Sequence, residues 1–156
     1  MPSRRWLPFA ALESATVFSG TANGISMIAF PWLVLERTGS ASAAGLLGAI
    51  TALPLLLSFL FAGVVVDIVG RRLVAIVSDL LSMTSVALVP LLSQQFDLGF
   101  AALAGLAVLG AVFDPAGISA REAMLPEAAA AAGLRLERAN GIHEAVWGAA
   151  HLIGPG

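Results

Sequence analysis

Residues 63–72 read Gly-Val-Val-Val-Asp-Ile-Val-Gly-Arg-Arg, and they lie between two long apolar runs. The first run carries no charge from Thr38 to Val66, and the second begins at Leu73. One acid and two arginines between such runs predict a turn at which one membrane-crossing helix leaves the bilayer and the next enters it. The hydrocarbon core tolerates neither charge nor unpaired backbone groups. Glycine at this place permits a tight turn.

Composition agrees. The chain is 58% hydrophobic and 12% charged, with a mean hydropathy of +0.92, so a water-soluble domain of this length would expose an aggregating apolar surface. A net charge of -2, with arginines confined to turns and the N-terminus, excludes the basic stripe of a nucleic-acid binder. Cysteine is absent, which removes disulfide frameworks and thiolate metal sites. Every basic residue is arginine, which fits a GC-rich bacterial source.

A helix needs about 20 apolar residues to cross roughly 30 Å of hydrocarbon. Four stretches meet that requirement, at about 8–35 with Glu13 inside, 42–66, 73–93 with Asp79 inside, and 98–118 with Asp114 inside. A fifth apolar pattern begins at about Ile142 and reaches Gly156, where the sequence stops short of a full crossing. The expected fold is an all-α membrane protein, a transmembrane bundle of four spans plus the start of a fifth. The stretch 121–140 is read as an alanine-rich cytoplasmic loop holding a short amphipathic surface helix.

Loops rich in arginine stay on the cytoplasmic side. A cytoplasmic N-terminus puts Arg4, Arg5, Arg71, Arg72, Arg121, Arg135 and Arg138 inside and leaves only Arg37 outside. The outer loops, Glu36 to Ser40 and Ser93 to Asp97, are short, so successive helices are antiparallel neighbours. Trp6 and Trp32 fall near opposite ends of the first span, as interface anchors do. The opening Ser-Arg-Arg-Trp-Leu resembles a twin-arginine export signal. The apolar stretch continues past Glu13 to Leu35 without the short core of such a signal, and more spans follow.

Small residues recur at four-residue spacing, Gly20 with Gly24, Ala101 with Gly105, and Ala107 with Ala111. They permit close helix approach, with packing inside one bundle preferred over dimerisation. Pro31, Pro54 and Pro115 each allow a kink. His143 and His151 do not make a zinc-hydrolase pattern, because Trp147 stands where its second histidine would be. With no Ser-His-Asp constellation and no phosphate loop either, the sequence predicts no enzyme, no metal and no cofactor.

The segment Gly63 to Arg72 resembles the signature loop between the second and third helices of the major facilitator superfamily, including its glycines, acid and paired basic residues. Phe30 to Leu47 is similar to the stretch joining the first two helices in the branch of drug, macrolide and siderophore exporters. Gly154, Pro155 and Gly156 fall where the family's antiporters carry a glycine-proline motif in the fifth helix. The resemblance implies a secondary active transporter with alternating access, exporting a small amphipathic compound by ion or proton coupling from the cytoplasmic membrane. Its partners are that small-molecule substrate, the lipid bilayer and a C-terminal half of the same polypeptide. A membrane scaffold without transport activity is the rival reading. Many proton-coupled exporters of the family also place an arginine in the middle of the fourth helix, and 98–118 contains none.

Ionisable groups inside a span are costly, about 2.5–3.5 kcal/mol at the centre for aspartate, and so point to function by default. Asp114 is a candidate for coupling or substrate binding, or else pairs with Arg121 near the cytoplasmic rim. Glu13 is a second candidate, unless it snorkels to the inner interface. Asn23 is a third, able to hydrogen-bond a substrate or a neighbouring helix. Asp79 is read as structural, pairing with Arg71 or Arg72 about two turns away. Within the signature segment, the resemblance implies that Gly63, Asp67, Gly70, Arg71 and Arg72 form a conformational latch, the other reading being a structural turn that only keeps the loop inside. Asp67 ends a helix whose dipole disfavours negative charge, and so requires a cation: Arg71, Arg72 or Arg121.

Overall fold

The computed structural model of the chain describes residues 5–96 and 98–153. These form five α-helices, with no strand among the described residues: α1 (Leu7–Thr38), α2 (Ala41–Val69), α3 (Arg71–Ser93), α4 (Phe100–Ala132) and α5 (Leu136–Ile153). The first four are long and apolar enough to cross a membrane. The chain is the all-α membrane bundle its hydropathy predicts.

The connections are short, and each has a chemical reason. Ser40 caps α2 by accepting a hydrogen bond from the Ala43 amide at 3.2 Å. Gly70 alone separates α2 from α3, at φ 99° and ψ 136°, a conformation closed to residues with a Cβ. Gly133, at φ 69°, ends α4. Its amide bonds the Ala130 carbonyl at 3.0 Å and the Leu134 amide bonds the Ala129 carbonyl at 2.9 Å. This pattern satisfies the last carbonyls of a helix and turns the chain.

The main departure from expectation concerns 118–140. Instead of a cytoplasmic loop over 121–140, α4 continues to Ala132, a turn occupies 133–135, and α5 starts at Leu136. The charges of Arg121, Glu122 and Glu127 look like the end of a helix, but Arg121 is buried, Glu122 and Glu127 are exposed, and the alanines that follow are strong helix formers that carry α4 on. At 33 residues, α4 extends about 50 Å, so it outruns a hydrocarbon core of about 30 Å unless tilted. The other boundaries shift by a few residues, and two of those shifts matter. α2 reaches Val69 and α3 begins at Arg71, which brings Asp67, Arg71 and Arg72 into helices.

Packing divides into two units, one made of residues up to Ile25 with those from Arg121 onward, the other of Ser26–Ala120. In the first, Phe9 and Leu12 of α1 pack with Leu125, Ala128, Ala129 and Ala132 of α4 and Ala139 of α5. The Arg5 amide also bonds the Ala131 carbonyl at 3.0 Å. Two contacts set the register of α1 on α5 in this unit. His143 meets Glu13, and Ala150 lies beside Gly20, where an added Cβ would come within 3.0 Å of the Ala150 Cβ. Both partners advance by seven residues between the contacts, which is two helical turns, so α1 and α5 run parallel. Two helices separated by three alternating crossings must run that way. Gly20 therefore serves packing inside the bundle.

In the second unit, Phe30, Val34, Leu47, Leu98, Leu103 and Ala104 form the core, and α2 packs on α3. Gly110 lets α4 approach α3, since an added Cβ would lie 3.2 Å from Ser85 Oγ. Only 11% of the most apolar window of α2 is buried. Leu53, Leu56, Phe59, Leu60 and Phe61 all face outward, a distribution suited to lipid and not to water.

Candidate functional site

Structure separates the sequence-derived candidates into three groups. The first is the signature segment. Asp67 sits in the last turn of α2, Arg71 and Arg72 in the first turn of α3, and all three are exposed around the break at Gly70. The two glycines differ in kind. Gly70 has the positive φ that makes the turn, and its amide bonds the Val66 carbonyl at 3.0 Å. Gly63 lies inside α2 with no atom within 4 Å of where its Cβ would stand. An acid ending one helix and two cations beginning the next oppose both helix dipoles. Arg121 is buried in the first unit, where its Nη2 donates to Ser19 Oγ at 2.9 Å.

The second group centres on Glu13. Its side chain does not snorkel to an interface; it is buried between helices and meets His143 Nδ1 of α5 at 3.1 Å through Oε1. The other carboxylate oxygen, Oε2, is buried with no hydrogen-bond partner. Thr16, one turn on, turns its hydroxyl back to the Leu12 carbonyl at 3.1 Å, which satisfies it without drawing on the Glu13 carboxylate. Arg121 binds Ser19, six positions beyond Glu13 on the same helix. The first unit thus holds a buried acid, imidazole and guanidinium on α1, α5 and α4.

Asp114 forms the third group. It is half-buried on α4, and its Oδ1 accepts a hydrogen bond from the Ser82 hydroxyl of α3. Beside it, the Ser58 hydroxyl of α2 donates to the Val112 carbonyl of α4. Pro115, which lacks an amide hydrogen, follows immediately and is buried. Side-chain hydroxyls from two neighbouring helices therefore meet α4 where the proline interrupts its backbone ladder. Asp79 is half-buried on α3.

Asn23 is half-buried on α1, ten positions beyond Glu13 and thus about 15 Å further along the helix axis. It is not brought to the Glu13 carboxylate. The motif Gly154, Pro155 and Gly156 lies outside the described residues. Sequence reasoning missed His143 as the partner of Glu13, Arg121 as a buried group of α4, and Ser82 as the donor to Asp114. α4 carries Arg121 in its C-terminal half, beyond the stretch 98–118, which has no arginine. One signal was legible: a histidine among apolar residues at 142–153 needs a polar partner, although 130 positions separate it from the acid it meets. Among the described residues, no cluster of three or more His, Cys, Asp or Glu could hold a metal ion.

Comparison with known proteins places these groups in context. Residues 12–156 match the Major Facilitator Superfamily. The chain is 49% identical over 152 residues to the multidrug efflux pump Tap of Mycolicibacterium fortuitum, covering 96% of this chain and 37% of that protein. It is 48% identical over 144 residues to the pumps of the same name from Mycobacterium tuberculosis H37Rv and Mycobacterium bovis BCG, covering 90% of this chain and 34% of each. The chain thus spans about a third of the length of these curated relatives. No solved structure matches it. The match begins within α1, takes in every later helix and includes the acid-glycine-arginine corner; the chain is a multi-pass membrane protein and belongs to the major facilitator superfamily.

Proposed function

We propose that this chain is the N-terminal part of a secondary transporter that exports small amphipathic, drug-like compounds. Its cycle is alternating access, driven by ion or proton coupling across the bacterial cytoplasmic membrane, with the N-terminus inside. The observation that carries this reading is identity near one half, over almost the whole chain, to proteins named multidrug efflux pumps. Substrate would bind near the bilayer midplane between this half and a second half of the same polypeptide, the two rocking about the site. A glycine-proline motif at 154–156 fits an antiporter.

The corner Gly63, Asp67, Gly70, Arg71 and Arg72 acts as the latch of that cycle. Asp67 and the arginines are exposed and dipole-opposed, so docking against complementary groups of the second half stabilises the state closed to the cytoplasm. Among the coupling candidates Glu13 stands first, because one of its buried oxygens has no partner, whereas Asp114 accepts from Ser82 and joins α4 to α3. Asn23 belongs to the substrate path further along α1.

The experiment expresses the full-length protein in efflux-deficient bacteria and follows ethidium accumulation. Lower steady-state ethidium that rises again on collapsing the proton gradient supports export. Asp67→Asn should restore ethidium to the level of cells lacking the transporter and raise cytoplasmic-side labelling of a cavity cysteine. Unchanged ethidium in cells that make the wild-type protein would refute the exporter reading.

A further inference from the structure

We infer that Glu13 and His143 form a single proton-binding site in which Glu13 Oε2 receives the proton and His143 is the positioning residue. The use of this site for transport rests on the exporter reading; its existence does not.

The pair is withdrawn from solvent, with side-chain exposures of 9% for His143 and 11% for Glu13. An ionised carboxylate only accepts, so the contact of 3.1 Å requires the hydrogen on Nδ1, donated to Glu13 Oε1. That bond fixes the carboxylate and leaves Oε2 buried and bare. A buried oxygen that carries charge and lacks a donor is costly. Uptake of one proton from water forms an O–H bond at Oε2, removes the charge and leaves the Nδ1–H to Oε1 bond intact. Release to water on the other side breaks that O–H bond and restores the carboxylate.

Other charged groups belong to the same unit. Arg121 of α4 is buried there, its Nη2 donating to Ser19 Oγ. On α5, His151 is committed to the Trp147 carbonyl at 3.2 Å, and Glu144 is exposed, as is Glu122 on α4.

The test uses the full-length protein purified in detergent and then reconstituted. Infrared difference spectra between acid and alkaline pH should show the C=O band of a protonated buried carboxyl group. Glu13→Gln should abolish that band, and His143→Gln, which keeps an N–H donor but cannot be protonated, should shift its midpoint by at least about tenfold in proton concentration. Glu13→Asp should retain a shifted band, which shows that a folded carboxylate variant still binds the proton. In proteoliposomes, ethidium-driven proton movement should fall at least tenfold in Glu13→Gln. A band that survives Glu13→Gln, or a midpoint unmoved by His143→Gln in protein that remains monodisperse, would overturn the site. A normal band and midpoint shift with no ethidium movement by the wild type would uphold the site and count against the exporter reading instead.

Discussion

Gly20→Ala tests the α1–α5 contact on which the Glu13–His143 geometry depends. The new Cβ would lie 3.0 Å from Ala150 Cβ and 3.4 and 3.5 Å from Trp147 Cε3 and Cζ3. Carbon atoms pack at about 3.5–4.0 Å, so α5 must withdraw from α1 by roughly 0.5 Å or more. Overpacking of this kind costs about 1–3 kcal/mol, offset by about 1 kcal/mol from replacing glycine inside a helix; the net expectation is a loss of about 0–2 kcal/mol. Ala150→Gly alone loses a buried methyl, about 0.8 kcal/mol, and about 1 kcal/mol of helix propensity. Combined, the two changes exchange one methyl for another across the same contact, so the double variant should be more stable than the sum of the singles by about 1–3 kcal/mol. Unfolding of the four proteins in detergent, followed by helical circular dichroism, closes the cycle. Additivity within about 0.5 kcal/mol would refute the contact, and with it the parallel register that pairs Glu13 with His143.

Three further expectations address the rest of the chain. Gly70→Ala should cost about 1–3 kcal/mol, because its backbone conformation is closed to alanine, while Gly63→Ala should be neutral or gain up to about 1 kcal/mol in a helix interior with open space at its Cβ; thermal unfolding of the two variants separates the glycines, and equal losses would refute the distinction. Ser82→Ala should lower stability by about 0.5–1.5 kcal/mol through loss of its hydrogen bond to Asp114, detectable in the same assay, and no loss would mean that Asp114 does not depend on Ser82. For topology, cysteines placed at Ser40 and Gln95 should react with an impermeant reagent in intact cells and one at Ala130 should not; reaction at Ala130 would reverse the proposed orientation.

Hydropathy and charge by themselves determined that this chain crosses a membrane as helices, because lipid imposes a length and a charge rule on each span that can be counted along one dimension. The corner at Gly63 to Arg72 was legible for the same reason, being the place where both rules are broken at once. The end of the fourth helix was not, since the charged stretch from Arg121 to Glu127 reads as the end of a helix, whereas its alanines carry α4 on to Ala132. Asp114 and Glu13 stood out equally as acids inside spans, and nothing in their neighbours along the chain distinguished them. Tertiary packing did: it supplied a hydroxyl to Asp114 from α3 and an imidazole to Glu13 from α5, and left one Glu13 oxygen bare. Spacing along a helix shows which residues share a face, but which face of another helix lies opposite is decided only when small residues such as Gly20 and Gly110 bring the helices together.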